Sequence, residues 1–413
     1  MLDAINSAPK QIHIFDRDGE EALCLDKEHV YFGPPISTVF VKDPYTGEKR
    51  KGLRKDAFNA GLICEALDNC NWASAMSGIS DGVNDLSDVY EVYELLQSTK
   101  KPIMYWASSL ENLKIEFEMF EAVAGGKENL ENKSAQICLV CPMDPLVHND
   151  DNLEQLIYLA QRGGCAVYIS GVTMGCTSPI TVAGNLVVDI ADTLVGLLIS
   201  QLAKKGSKFI VSKFGNTMDL RTMTIEDGHP EQILSHMACA DIFHWLELPF
   251  CSNLGDTDSG IFDQVAAFNG SMSLSIATMS GITMAMGMGG YEKCMMTDYV
   301  GTVYGSEVVD YLKHIICGVE LTDEALAYDE IEEVGPGGDF MMSDSTFEYC
   351  RKLWKPDILS PCTLEEYENK KKYEIEEKYK ERIREILDRG VLYPLDEDRK
   401  NALDAIIKRA ENK

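Results

Sequence analysis

The residues of this chain that can carry out chemistry lie in short polar segments, each of which follows a short apolar run. The segment 253–259 contains two aspartates, Asp256 and Asp258. These carboxylates either bind a cationic ligand or cap a helix expected to begin at Ser259, since Asp is a favoured N-cap residue. We predict Asp256 as a catalytic residue and Asp258 as a substrate-binding residue.

Aromatic residues accompany these segments and suggest a site for a cation. A quaternary ammonium group is held over aromatic rings by cation–π attraction, worth on the order of 0.5–2 kcal/mol per ring. The alternative for each ring is ordinary packing in the core or against a helix. Trp106 and Phe340 are the stronger candidates because both adjoin small residues at loop starts. The full set is Trp72, Tyr105, Trp106, Phe214, Tyr291 and Phe340.

Three further polar side chains complete the predicted substrate-binding set. His148 is either an acid/base group or an incidental loop histidine. Lys213 ends a predicted strand, where an inward lysine pairs with a substrate carboxylate or forms a Schiff base, and an outward lysine only meets a helix. Asp339 follows the glycine-rich segment 335–338.

Two glycine-rich segments, 287–290 and 335–338, have several interpretations. Their backbone N–H groups either cradle a phosphate or let the chain approach a bulky planar ligand, or the glycines simply make tight turns. Neither segment has a Walker or Rossmann pattern, and neither contains a basic residue. Phosphate binding is the least favoured of the three.

The elements that must position these residues follow a regular rhythm. Short apolar runs alternate with amphipathic stretches about every 30 to 40 residues, as repeated βα units require. Ser109, Asp56 and Asp151 are helix-start signals. Seven such units favour a (β/α)8 TIM barrel, with Glu332–Phe340 as the candidate eighth strand. The apolar runs lie at 72–76, 102–106, 137–141, 166–170, 209–212, 249–252 and 282–286.

The ends of the chain differ in character from this repeating region. Residues 1–55 contain short strand signals separated by turn residues, which predict a β-rich extension. Residues 56–350 form the predicted barrel. Residues 351–413 are predicted to be helical, with a long charged surface helix over residues 365–388 and a shorter one over residues 401–410.

Composition limits the functions that are open to the chain. The net charge of −29 repels phosphate backbones, so we expect no nucleic-acid partner. No apolar run approaches the roughly 20 residues needed to span a bilayer, and the N-terminus has no signal-peptide pattern. We therefore expect a cytoplasmic protein without a membrane partner. The thirteen scattered cysteines are expected to be reduced, and no metal is expected on this chain.

Taken together, the chain resembles the trimethylamine methyltransferase family over roughly residues 15–360. Each matching segment is weak by itself, but the ordered set is specific. The segments are 17–25 (RDGEEALCL), 30–33 (VYFG), 66–69 (ALDN), 98–102 (STKKP), 109–112 (SLEN), 141–145 (CPMDP), 174–184 (MGCTSPITVAG), 219–221 (DLR), 257–259 (TDS), 263–264 (DQ) and 332–338 (EEVGPGG).

This resemblance implies a barrel that transfers a methyl group from an amine to the cobalt of a corrinoid (cobalamin) carried by a separate protein, and it implies a homo-oligomer. Trimethylamine members of the family carry pyrrolysine at a place that corresponds to residues 251–256, closest to Leu254 or Gly255. This chain has only ordinary residues there. Leu254 and Gly255 therefore join Asp256 as predicted catalytic positions.

The missing pyrrolysine favours an already charged substrate. A betaine nitrogen bears a full positive charge, so attack on its methyl group by Co(I) expels a neutral tertiary amine without a general acid. The protein then mainly positions and desolvates the cation. We expect glycine betaine or a related compound such as carnitine or proline betaine. The alternatives are a barrel lyase or aldolase that uses Lys213, and a non-catalytic partner of a corrinoid protein.

Overall fold

A computed structural model describes residues 1–369 and 375–412. The N-terminal elements are α1 (Leu2–Ser7), β1 (Ile12–Phe15), β2 (Glu21–Leu25), β3 (Tyr31–Gly33), β4 (Phe40–Lys42), β5 (Lys49–Lys51) and α2 (Arg54–Ala66). A 3-10 turn (Asn84–Leu86) is followed by α3 (Ser87–Ser98), β6 (Ile103–Trp106), α4 (Leu110–Ala124), α5 (Lys127–Asn132), β7 (Gln136–Val140), α6 (Asp150–Arg162), β8 (Cys165–Tyr168), α7 (Val182–Ala203) and β9 (Phe209–Lys213).

The second half of the chain continues the alternation and then becomes helical. Its elements are β10 (Thr217–Asp219), β11 (Thr224–Glu226), α8 (Pro230–Trp245), β12 (Phe250–Ser252), α9 (Gln264–Met279), β13 (Met284–Met286), β14 (Gly290–Tyr291), β15 (Met296–Thr297), α10 (Tyr299–Ile316), α11 (Asp323–Leu326), α12 (Tyr328–Val334), α13 (Asp344–Tyr349), α14 (Leu364–Asn369), α15 (Ile375–Arg389) and α16 (Glu397–Glu411).

The central sheet has seven parallel strands in the order β3-β13-β12-β9-β8-β7-β6. The chain around Ala73 fills the gap between the two edge strands. The Met104 N–H donates to the Ala73 carbonyl at 2.8 Å, and the Asn71 N–H donates to the Phe32 carbonyl at 2.8 Å. The sheet therefore curls into a (β/α)8-like barrel, as predicted.

The prediction for the eighth strand was wrong. Residues 328–334 form helix α12, and the described residues 335–340 contain no strand. Its place in the sheet is taken by β3, which pairs with β13 through Tyr31 and Met284. The predicted boundary at residue 55 therefore places β3, which is a strand of the barrel, in the N-terminal extension. Barrel closure joins strands that are far apart in sequence, so local patterning does not reveal this pair.

The hairpin of β1 and β2 closes one end of the barrel. Its inward residues Ile12, Ile14, Leu23 and Leu25 are buried in the same apolar cluster as the barrel interior. A second apolar layer fills the space between the strands and the outer helices. Because both faces of the sheet are covered, strand β7 is buried at all five of its positions.

Helix starts agree with the sequence signals to differing degrees. Ser109 caps α4, since its side chain accepts from the Asn112 N–H at 3.2 Å. Asp56 lies one turn inside α2 and accepts from the Leu53 N–H at 2.8 Å. Helix α6 begins at Asp150, and no side chain caps it. The helix predicted over residues 365–388 corresponds to α14 and α15 where the structure describes it, and its residues 370–374 lie outside the described part of the chain. The shorter predicted helix corresponds to α16. Helix α15 packs on α2 and α10, and α16 packs on α3 and α4.

Helix α7 is the one described helix that is long and apolar enough to cross a membrane, with a mean hydropathy of 1.8 over its most apolar window. The expectation that no apolar run approaches that length was therefore too strong. Two aspartates on this helix, Asp189 and Asp192, are buried within the fold. Their burial and the packing of α7 on α6 and α8 make it an outer helix of the barrel.

Candidate active site

Two aromatic side chains lie at the carboxyl ends of the barrel strands and face the barrel interior. Trp106 ends β6 and Phe214 follows β9, and both are half-buried against the interior cluster. The Trp106 Nε1 donates to the Ser37 Oγ at 2.8 Å, which fixes the plane of the indole. Half-buried aromatic faces at this end of a barrel can hold a cation. Trp106 and Phe214 are the members of the predicted aromatic set that the structure places there.

Trp72 also faces the interior but is fully buried. A Cβ atom on Gly33 would lie 2.1 Å from the Trp72 Cε2, so only glycine at position 33 leaves room for this ring. Trp72 is therefore a tightly packed residue of the barrel core.

A buried cluster of two carboxyls and a thiol follows β12 and is centred on Asp256. The Asn253 Nδ2 donates to the Asp256 Oδ2 at 2.7 Å, and the Cys294 Sγ donates to the same oxygen at 3.0 Å. Asp227 lies on the far side of the thiol, 3.9 Å from its sulfur, and accepts from the Asn216 Nδ2. Asp227 and Asp256 are both buried, so their charges are poorly solvated.

The turn between β14 and β15 aims Cys294 into this cluster. Glu292, Lys293 and Cys294 have φ angles of 53°, 59° and 60°, in the left-handed region that non-glycine residues rarely adopt. Such consecutive strained residues persist only where the surrounding structure fixes them, and they concentrate at functional sites. The strain is a reason to treat Cys294 as part of the site.

Burial decides the protonation of the cluster. It raises the pKa of Asp256 to about 6, against hydrogen bonds from Cys294 and Asn253 that lower it. Burial together with the Asp256 charge raises the pKa of Asp227 well above its usual range. Burial and the two carboxyls also raise the pKa of the Cys294 thiol. Burial therefore opposes the presence of several negative charges at once in this cluster.

This arrangement can act in two chemical ways. A buried carboxylate attracts a cationic substrate, and the neighbouring Cys294 thiol and Asn253 amide donate hydrogen bonds to it. The ligand atoms of Asp227, Asp256 and Cys294 also lie within 4.8 Å of one another, so the set has the donors and spacing to hold a metal ion.

Sequence reasoning found Asp256 but missed Asn216, Asp227 and Cys294. These residues come from three separate loops and converge only because the β10–β11 hairpin and the β14–β15 turn fold over the end of β12. Asp227 precedes Gly228, which signals no more than a turn. No spacing along the chain would have connected the three positions.

Leu254 and Gly255 shape the backbone next to the cluster. The Leu254 side chain is buried in the outer apolar layer. Gly255 has a φ of 117°, and a Cβ atom there would lie 3.1 Å from the Met288 N. A Cβ atom on Gly287 would likewise lie 2.9 Å from the Leu254 carbonyl oxygen. The glycines of both loops thus let two backbone segments pack closely.

Asp258 does not cap a helix. Helix α9 begins at Gln264, and Asp263 caps it by accepting from the Ala266 N–H at 2.9 Å. The Asp258 Oδ1 instead accepts from the Asp227 N–H at 2.8 Å. Asp258 therefore supports the backbone that carries Asp227.

His148 belongs to a second polar group, at the ends of β7 and β8. Its Nδ1 lies 2.7 Å from the Tyr168 Oη, and its Nε2 lies 3.6 Å from the Asp192 Oδ1. Nearby Asp144 accepts from the Gly171 N–H at 2.8 Å. Burial and the neighbouring Asp192 carboxyl raise the pKa of Asp144 to about 7. His148 is thus held in a defined position by Tyr168 and Asp192 rather than lying incidentally in a loop.

Lys213 points away from the barrel interior, so its assignment to the substrate site is corrected. Side chains alternate along a strand, and Ile210 and Phe214 pack against the interior cluster. The fully buried Lys213 Nζ pairs with Asp189 and donates to the Asn185 Oδ1 at 2.9 Å, both on α7. A lysine held this way on an outer helix is not placed to form a Schiff base or to bind a substrate carboxylate within the barrel.

Two further predicted aromatics are packing residues. Tyr105 faces outward into the helix layer, where its ring packs 5.2 Å from that of Phe120 and its Oη donates to Gln136. Tyr291 is buried in a small separate cluster with Ala266 and Met296. Neither ring faces the barrel interior.

Asp339 and Phe340 lie in an exposed segment between α12 and α13. The Asp339 Oδ1 accepts from the Met341 N–H at 3.1 Å, and Phe340 is 40% exposed. Both were predicted as substrate-binding residues because a barrel strand was expected to end beside them. With the eighth strand supplied by β3, that reason no longer holds.

A parallel barrel with polar groups gathered at the carboxyl ends of its strands has the layout of a barrel enzyme. The family model described as trimethylamine methyltransferase (MTTB) matches residues 1–413. The chain therefore belongs to the trimethylamine methyltransferase family, and it is a methyltransferase.

Relatives agree with this assignment. The chain is 27% identical over 410 residues to the trimethylamine methyltransferase MttB of Desulfitobacterium hafniense (strain DSM 10664 / DCB-2), covering 99% of this chain and 83% of that one. It is 25% identical over 408 residues to the glycine betaine methyltransferase of Desulfitobacterium hafniense (strain Y51), covering 98% and 84%.

The fold is also that of a solved methyltransferase. The hydroxylamine complex of MtmB aligns with a TM-score of 0.56 at 12% identity, over 95% of this chain and 80% of that one. The Methanosarcina barkeri monomethylamine methyltransferase MtmB aligns with a TM-score of 0.53 at 12% identity over the same shares. At this identity the likeness concerns the fold alone.

Proposed function

We propose that this protein transfers a methyl group from a quaternary amine of the glycine betaine type to the Co(I) of a corrinoid carried by a separate protein. The observation that carries the proposal is that half-buried aromatic faces and a buried carboxylate both follow the carboxyl ends of barrel strands, in a sequence with no pyrrolysine. A cation suits such a site, and a quaternary nitrogen leaves without being activated.

The reaction is balanced without an added acid. The Co(I) electron pair forms the bond to the methyl carbon while the C–N bond breaks, and its electrons return to nitrogen as the lone pair of a neutral tertiary amine. The residues of this chain then have three tasks. Trp106 and Phe214 hold the ammonium group, Asp256 supplies a favourable potential, and the packed barrel excludes water.

The surface around this end of the barrel fits a protein partner. Several apolar side chains in the loops after the strands are half-exposed or more, and we call them the apolar rim: Met143, Leu146, Val147, Ile180, Leu220 and Met223. They follow β7, β8 and β10, so they lie on one side of the barrel end that carries the candidate site. Apolar patches of this kind mark interaction surfaces. The apolar rim supports docking of a corrinoid protein above the substrate.

The proposal extends to assembly and location. Helices α7 and α9 expose the apolar side chains of Val187, Leu202, Phe268 and Met279. These faces support the expectation of a homo-oligomer, which light scattering on the purified protein would measure. We further propose that the protein acts in the cytoplasm.

One assay tests the reaction. The protein is mixed with its cognate corrinoid protein, reduced to Co(I), and with a panel of glycine betaine, carnitine, proline betaine, trimethylamine and dimethylamine. We expect the methyl-Co(III) spectrum with one or more quaternary amines and not with the tertiary or secondary amines. If only trimethylamine methylates the corrinoid protein, the proposal of a quaternary amine substrate is overturned. No methylation by any amine would favour a non-catalytic partner.

A further inference from the structure

A chain of hydrogen bonds leads from the candidate site into the helix layer behind it. The Trp106 Nε1 donates to the Ser37 Oγ at 2.8 Å, and the Ser37 Oγ donates to the Glu91 Oε2 at 2.7 Å. Because Ser37 has a single hydroxyl proton, it accepts from the indole and donates to the carboxyl. Glu91 lies on α3 and is 1% exposed.

Ser37 is held in a costly conformation. Its φ is 46°, in the left-handed region, and its N–H donates to the Ala75 carbonyl at 2.7 Å. A serine in this region is strained, and such strain tends to be kept where it positions a functional group. The group that it positions here is the indole of Trp106.

Other carboxyls are the charged groups that act on Glu91. Among residues 1–369 and 375–412 no ion pair includes it, and the titratable groups that interact with it are Asp88 on α3 and Glu116 on α4. Burial, with the Asp88 charge, raises the pKa of Glu91 to about 8, although the hydrogen bonds from Ser37 and Trp106 lower it. Without substrate, the carboxyl is therefore largely protonated at neutral pH.

We propose that Ser37 and Glu91 are positioning residues for Trp106, and that a quaternary ammonium bound against this indole causes Glu91 to release its proton to solvent. The proposal rests on the proposed function, because it places the cation at Trp106. A positive charge near the ring stabilises the carboxylate through the hydrogen-bonded chain. By reciprocity, ionised Glu91 strengthens the binding of the cation.

The experiment measures the affinity for glycine betaine by calorimetry between about pH 6 and pH 9, in two buffers of different ionisation enthalpy. For the wild type we expect the affinity to rise with pH, by at most about tenfold per pH unit, with protons released on binding. Glu91→Gln should remove both the pH dependence and the proton release. Ser37→Gly, which also suits the positive φ, should do the same and should raise KM with little change in kcat.

Glu116→Gln is the matched control. Glu116 is an equally buried carboxyl on the neighbouring helix, and no hydrogen bond connects it to Ser37 or Trp106. This variant should keep the wild-type pH dependence. If the wild type binds and demethylates glycine betaine but binds it independently of pH, or if Glu91→Gln matches the wild type, the inference is overturned and the proposed function stands. If no quaternary amine binds or reacts, both are overturned.

Discussion

Replacing Lys213 with Met tests whether this residue is structural or catalytic. Lys213 and Asp189 are both buried, and the change leaves the Asp189 carboxyl without its cation. Removing one partner of a buried ion pair costs about 3–5 kcal/mol. Burial already raises the pKa of Asp189 against the charge of Lys213, so the variant should take up a proton at this site.

The double variant Lys213→Met/Asp189→Leu distinguishes the two roles. Replacing both members of a buried pair by apolar groups is often neutral or stabilising, so most of the lost free energy of unfolding should return. Asn185 loses its bond to Lys213 but still accepts from the Ser235 Oγ at 3.0 Å, which limits the remaining penalty. Because neither side chain faces the barrel interior, methyl transfer should return with the fold.

Urea unfolding gives the free energies, and the appearance of methyl-Co(III) gives the activity, both at a temperature at which all variants are folded. A double variant that is as stable as the wild type but inactive would show that Lys213 takes part in the reaction, and would refute the reasoning from strand alternation. If the free energy of unfolding of Lys213→Met falls by less than about 1 kcal/mol, the Lys213–Asp189 pair behaves energetically like an exposed ion pair.

Four further outcomes are expected. Trp106→Ala should raise KM for the quaternary amine about 2- to 30-fold with little change in kcat, as measured in steady-state assays. Asp263→Ala should cost about 1 kcal/mol in urea unfolding through loss of the α9 cap, whereas Asp258→Ala should leave the helix content unchanged in circular dichroism. The pKa of Glu91 is about 8 in the folded protein, above its ordinary value of 4.5. The free energy of unfolding should therefore be highest below about pH 4.5 and should fall as the pH rises to about 8. In urea unfolding, Glu91→Gln should not show this fall. Leu220→Asp, on the apolar rim, should raise KM for the corrinoid protein but not for the amine.

Local patterns predicted much of the fold because they reflect burial of single elements. Six of the seven alternating apolar runs located strands of the barrel sheet, and the seventh, 72–76, is the non-strand segment around Ala73 that fills the gap between the edge strands. Ser109 located the start of α4, since a cap needs only neighbouring residues. The pattern could not show that β3 completes the barrel. That pairing depends on closing the sheet between Tyr31 and Met284, which are about 250 residues apart.

The sequence by itself determined the family, the barrel class, the absence of pyrrolysine from the chain and the placing of Asp256 at a strand end. Only the tertiary structure decided which way each side chain points. Lys213 and Phe214 are neighbours in sequence, but strand alternation sends one to α7 and the other towards the barrel interior. Asp227 and Cys294 join Asp256 only through loops folded over β12, and a buried cluster made by such long-range contacts leaves no periodic signal in the chain.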